Sequence, residues 1–170
     1  MKVLLTGANG YIGRRLLPVL LDQGHEVICL VRDRRRFPEV RFRENSGQLR
    51  IIEGDLLDAS SLHVIPEEID IAYYLVHSMG SGRTDFYRME EDSVRHFLSA
   101  LDGTSVRQII YLSGIVNHPK ESLSPHLASR LNVEQILHAA PIPATVLRAA
   151  IIVGAGSASF EIIQDLVEKL

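Results

Sequence analysis

A single cysteine, Cys29, is all the thiol chemistry this 170-residue chain carries. No disulfide can form within the chain. Cys29 lies inside an apolar run, so a buried structural thiol is expected, and a reducing cytoplasm is the expected location. Long hydrophobic runs are missing as well: no stretch approaches the roughly 20 apolar residues needed to span a bilayer. The first apolar run is followed at once by glycines, so no signal peptide is expected either. Net positive charge is also absent. At a formal charge of −3 the chain has no overall field to attract nucleic acid or an anionic membrane. Aromatic residues make up 6% of the chain, and only Phe37 and Phe42 accompany its arginine-rich stretch, too few for an RNA-stacking platform. Repeats, low-complexity tracts and linkers are lacking, and no metal site is expected.

What remains is a hydrophobic content of 46%, enough at this length to bury one full core. A single domain over residues 1–170 is expected, either complete or the N-terminal part of a longer chain. Strand-like apolar runs occur at 2–6, 26–31, 50–53, 70–76, 107–112 and 145–153, and helical patterns at 11–23, 84–101, 126–139 and 159–169. Such alternation predicts an α/β fold: a doubly wound parallel sheet of about six strands with helices on both faces. The runs Ile109–Leu112 and Ala149–Val153 read as strands buried on both sides. Residues 32–48 are polar and irregular and predict at most a short helix, and Pro18 predicts a kink in the first helix. The last helix has apolar residues at 160, 163, 166, 167 and 170, one helical face; either it packs at the domain edge or the natural chain continues.

The chemistry is concentrated in Gly7-x-x-Gly10-x-x-Gly13, which follows the apolar run Val3-Leu4-Leu5-Thr6 and opens an amphipathic helix. A strand must turn sharply into a helix here. Gly7 allows the turn, Gly10 lets backbone N–H groups approach a pyrophosphate, and Gly13 lets the helix pack closely on the strand. Gly7, Asn9, Gly10, Tyr11, Ile12 and Gly13 are therefore the candidate phosphate-binding set of a dinucleotide site. The second strand ends Val31-Arg32-Asp33, followed by three further arginines. With Arg41 and Arg43, six of the 18 Lys and Arg residues fall between positions 32 and 43. Arg32 is placed to take a ribose 2′-phosphate, which favours NADP(H), while Asp33 leaves NAD(H) as the less favoured choice. Gly54-Asp55-Leu56 follows the third strand, where Asp55 can accept from the adenine amino group and Leu56 can cover the ring; the alternative is that Asp55 or Asp58 caps the following turn. Val76-His77-Ser78 closes the fourth strand beside the expected nicotinamide ribose.

With the glycine pattern, Gly54-Asp55-Leu56 and Tyr111-Leu112-Ser113-Gly114, the chain resembles the short-chain dehydrogenase/reductase superfamily over essentially its whole length. The glycine spacing and the Leu30-Val31-Arg32 strand end are similar to the atypical NAD(P)H-binding branch, epimerase/dehydratase-like and NmrA-like proteins among them. The resemblance implies a Rossmann fold with NADP(H) over the carboxyl ends of the strands, and Ser113 as the match for the family's active-site serine. It also exposes a departure. Superfamily oxidoreductases use Tyr-x-x-x-Lys, in which the lysine lowers the tyrosine pKa and the tyrosine exchanges a proton with the substrate. Here the lysines are Lys2, Lys120 and Lys169, and none has a tyrosine four residues earlier. In the corresponding place stand His126 and Arg130, one helical turn apart, able to shuttle a proton and to hold the nicotinamide ribose; alternatively, Ser124 caps this helix, Pro125 begins it and His126 lies on an exposed first turn. Arg148, where related chains have Arg-Pro, either binds substrate or pairs with an acid. The resulting expectation is an NADP(H)-dependent oxidoreductase or epimerase-like enzyme acting on an unknown small molecule, with Ser113, His126 and Arg130 as catalytic candidates. The alternative is a non-catalytic sensor or scaffold that presents helices 84–101 and 126–139 to a partner. The resemblance also implies a homodimer through those helices, at Phe86, Met89, Phe97, Leu127, Leu131 and Ile136.

Overall fold

The computed structural model of the chain describes residues 1–38, 42, 44–77, 86–116 and 123–169. Arg41, Arg43, Ser78, Lys120, Leu170 and the start of the helix expected from residue 84 lie outside the described residues.

The strands are β1 (Lys2–Thr6), β2 (Glu26–Val31), β3 (Leu49–Glu53), β4 (Ile71–Tyr74), β5 (Gln108–Gly114) and β6 (Ala144–Ala149). Between and after them run the helices α1 (Tyr11–Asp22), α2 (Phe86–Leu101), α3 (Pro125–His138) and α4 (Ala158–Glu168), with 3-10 turns at Arg34–Arg36 and Ala59–Val64. All pairings are parallel, in the order β3-β2-β1-β4-β5-β6. This is the doubly wound Rossmann-type sheet that the alternating pattern predicts. Strand order reverses between β1 and β4, so a crevice opens at their carboxyl ends, the usual ligand position in such sheets.

β1 shows how the sequence produces the two layers. Successive strand side chains point to opposite faces. Leu4 accordingly joins the core that includes Phe97 of α2 and Val133 and Leu137 of α3, while Val3 and Leu5 join the core that includes Leu17, Leu20 and Leu21 of α1. Because both faces are covered, the strand can be apolar at nearly every position. Cys29, on β2, is fully buried, and burial pushes its thiol pKa up to about 12, as expected of a structural cysteine. α1 continues through Pro18 and ends at a turn containing Gly24, whose φ is +77°. Among the described residues no helix is long and apolar enough to cross a membrane.

The carboxyl-terminal elements depart from expectation. β6 pairs only with β5 and stops at Ala149, whereas the apolar run predicts a doubly buried strand to residue 153. Leu147 is 53% exposed and Ile151 71% exposed. An edge strand has one neighbour, and no described helix covers its outer side; apolar content alone cannot distinguish such an edge from a buried centre. α4 likewise turns Ile162, Leu166 and Val167 to solvent. The run 70–76 is strand only to Tyr74, after which the chain leaves the sheet and enters the crevice.

Candidate functional site

At the end of β1 the Thr6 hydroxyl donates to the Tyr73 carbonyl (2.9 Å) and accepts from Leu75 N–H (3.1 Å), tying this strand end to that of β4. Gly7 then turns the chain with φ +69°, and a Cβ there would lie 2.4 Å from the Leu75 carbonyl oxygen. At Gly13 a Cβ would lie 2.3 Å from the Gly7 oxygen. Both positions therefore require glycine for the protein's own packing. Gly10 is different: a Cβ there meets only the Gly7 oxygen at 3.1 Å, and the residue is exposed in the cleft wall. Of the three glycines it is the one least constrained by the protein's own packing.

The cleft at Gly10 faces the start of α1. Helix N-termini leave N–H groups without intrahelical partners. α3 and α4 engage one such group each with a serine: Ser124 Oγ accepts from Leu127 N–H (3.3 Å) and Ser157 Oγ from Phe160 N–H (3.1 Å). α1 begins at Gly10 with no side-chain cap and no acidic residue in its first turn. The side-chain oxygen of Asn9 is also buried without a partner among the described residues. An uncapped helix start in a glycine cradle suits a phosphate.

The cleft has a volume of about 820 Å³. At one end lie Arg14, Arg32, Asp33 and Arg36. Asp33 accepts from the Arg35 side chain (Nε, 3.0 Å) and the Arg35 backbone N–H (3.0 Å), with Arg36 Nε at 3.7 Å. These contacts, the Arg35 side-chain bond foremost, hold its carboxyl below the usual range. Asp58 is the residue that caps the following turn, accepting from Ser60 N–H at 3.0 Å. Asp55 stands in the cleft wall and accepts from Leu57 N–H at 3.0 Å. Leu56 is 5% exposed and belongs to the core under the wall.

At the other end lie Val76, His77, Met89 and Ser93. The His77 side chain is 16% exposed, with Nδ1 4.0 Å from Oε2 of the buried Glu90. Ser113 is 1% exposed, with its hydroxyl beside that of Tyr111. His126 and Arg130 come together as their spacing predicts: Arg130 Nε donates to His126 Nε2 at 3.1 Å. Accepting that bond requires a neutral His126 protonated on Nδ1. Burial, then the Arg130 charge, lowers its pKa. Ser124 is also the cap of this helix and Pro125 its first residue, as the alternative reading expects, while His126 is half-buried rather than exposed. Burial raises the Tyr111 hydroxyl, which donates to the Arg130 carbonyl at 3.5 Å. Arg148 pairs with an acid: its guanidinium meets both oxygens of Glu134 on α3.

Of the expected phosphate-binding residues, Gly7, Asn9 and Gly10 line the cleft, whereas Tyr11, Ile12 and Gly13 do not. Tyr11 turns toward the segment after β6, its ring 3.7 Å below the Arg15 guanidinium, which in turn donates to the Ala155 carbonyl at 2.7 Å. Ile12 is half-buried in the first turn of α1, and Gly13 is buried. Phe97 is fully buried in the core and Met89 faces the cleft. Glu90 was missed by sequence reasoning. The signal was present: in the helical series Phe86, Glu90, Val94, Phe97, Leu101 a carboxyl occupies an apolar stripe.

Comparison with known proteins gives a consistent frame. The profile of the NAD(P)H-binding family matches residues 7–166. The chloroplastic divinyl chlorophyllide a 8-vinyl-reductase of Oryza sativa subsp. indica is 31% identical over 123 residues, 66% of this chain and 30% of that protein. The photosystem II assembly factor Ycf39 of Cyanophora paradoxa is 26% identical over 148 residues, 87% of this chain and 44% of that protein. The chain thus spans less than half the length of these two relatives. Among solved structures, UDP-glucuronic acid 4-epimerase from Bacillus cereus in complex with NAD superposes with a TM-score of 0.75 at 20% identity, covering 99% of this chain and 63% of the epimerase. At that identity the likeness speaks for the fold.

Proposed function

The chain belongs to the NAD(P)H-binding family, and from that premise we propose an NADP(H)-dependent oxidoreductase or epimerase-like enzyme acting on a small molecule. The observation that carries the reading is the uncapped start of α1 in its glycine cradle, facing a cleft with arginines at one end. In this reading Gly7, Asn9 and Gly10, with the start of α1, hold the pyrophosphate, Arg32 and Arg36 the 2′-phosphate, Asp55 and Leu56 the adenine end, and Val76 and His77 the nicotinamide ribose. Preference for NADP(H) over NAD(H) is supported by Asp33: its carboxylate is occupied by Arg35 and Arg36 and is poorly placed to receive a ribose diol. Ser113, His126 and Arg130 would complete the substrate side. A cytoplasmic location suits the one buried thiol.

Titration calorimetry should give NADPH an affinity at least about tenfold above NADH, roughly 1.4 kcal/mol, with Arg32→Ala removing most of the gap. Equal affinities in the parent protein would shift the choice to NAD(H). A screen of carbonyl substrates for NADPH consumption then tests the chemistry.

A second reading, a non-catalytic NADP(H) sensor or assembly scaffold, is favoured by the missing Tyr-x-x-x-Lys pair and by the relative described as an assembly factor. Under it no carbonyl substrate oxidises bound NADPH. A homodimer through the outer faces of α2 and α3, where Tyr87 is 42% exposed, fits either reading. A monomer by light scattering at micromolar concentration would remove it.

A further inference from the structure

The polar groups beneath the inner end of the cleft form a cluster of their own. Glu90 is 2% exposed on α2, a position where a carboxyl is costly without compensation. Among the described residues His77 Nδ1 is buried without a hydrogen bond, and it lies 4.0 Å from Glu90 Oε2. The His77 ring stands edge-on to Tyr111 with centroids 6.3 Å apart, which limits how it can turn. The charged and titratable groups packed around the pair are Tyr74 on β4, Tyr111 on β5, and His126 and Arg130 on α3. Of the two histidines, His126 has its Nε2 occupied by Arg130, whereas His77 lines the cleft.

Resting on the dinucleotide reading above, we propose that His77 is the proton carrier at the nicotinamide end of the cleft and that Glu90 is its positioning residue. Glu90 accepts from Nδ1–H through a slight closing of the 4.0 Å separation, which fixes the ring and leaves Nε2 for the substrate. In a reduction, a bound reduced nicotinamide dinucleotide would supply hydride to the carbonyl carbon, leaving the C=O π pair on oxygen. That oxygen takes the Nε2 proton of the His77–Glu90 pair, giving the alcohol, the oxidised dinucleotide and neutral His77 with Nδ1–H toward Glu90. Solvent in the cleft then restores the Nε2 proton.

The test uses the full chain labelled with 15N-histidine and long-range 1H–15N NMR. Neutral His77 should be chiefly the Nδ1–H tautomer, and Glu90→Gln, which removes the charged acceptor, should shift the tautomer ratio toward Nε2–H by about tenfold. Saturating NADPH should move the His77 nitrogen resonances with the dissociation constant found by calorimetry. A parent protein with neutral His77 protonated on Nε2 would overturn the pairing, and this measurement stands even if the Glu90 variant fails to fold. Calorimetric binding of NADPH that leaves the His77 signals unmoved would overturn its place at the nicotinamide end while sparing the dinucleotide reading. Absence of NADPH binding would strike that reading instead, together with the role proposed for His77.

Discussion

Two helices start at the same edge of the sheet and solve the same problem in opposite ways. α3 closes its first turn with Ser124 and Pro125, spending its free N–H on the chain itself, and then sets His126 and Arg130 in mutual contact. α1 starts on Gly10, bare of any capping side chain, and carries no acid to neutralise its dipole. The lesson is a division of labour: backbone groups are available where an anion is to be bound, and side chains are available where the helix has settled its own backbone.

The sharpest way to break the comparison is Gly10→Val. A branched side chain there projects into the space before α1, so dinucleotide affinity should fall by about a hundredfold or more while the circular dichroism spectrum stays native. Gly13→Val is the contrasting case. Its Cβ meets the Gly7 carbonyl at 2.3 Å, so it should lose the fold together with the affinity.

A smaller effect belongs to the other helix. Ser124→Ala should lower stability by about 1 kcal/mol in urea unfolding, the usual cost of a lost cap, with NADPH affinity unchanged. A loss of affinity with Ser124→Ala would mean that the two helix starts are not independent.

The smallest effect is acid sensitivity. His126 has its pKa lowered from the ordinary 6.5, so near and below that value the unfolded chain binds more protons than the native one. Stability therefore falls as pH drops through 6.5 toward the lowered value. His126→Gln should show less loss of melting temperature than the parent between about pH 7 and pH 5. An identical loss in both would show that His126 is equally accessible to protons in the two states.

How far the sequence could be read follows the same division. The sheet, the α1 turn and the His126–Arg130 contact were legible because period-2 and period-3.6 patterns and glycine spacing are local signals. The turn of Tyr11 toward Gly154 and the burial of Glu90 depend on residues far away in the chain and left only faint traces. The exposure of β6 and of the segment after it had no trace at all, because Leu147 and Ile151 read the same in a sheet centre as at its edge. Asp33 lay between the two: its identity suggested a ribose partner, and only the fold of Arg34–Arg36 shows that neighbouring arginines occupy it.

The Gly7 carbonyl has a consequence for the speed and cost of binding. It accepts from Gly10 N–H at 2.8 Å and is the surface against which Gly13 packs, while the preceding residue, Thr6, is tied to β4 through the Tyr73 carbonyl. The loop is thus set in its working shape by the protein's own bonds. A pyrophosphate meeting this loop has no backbone there to order; the long side chains left to immobilise are those of Arg32 and Arg36, at about 0.5–1.5 kcal/mol each. Association should then be a single diffusive step with no slow isomerisation behind it, and differences in affinity among nucleotides should appear in how long each one stays.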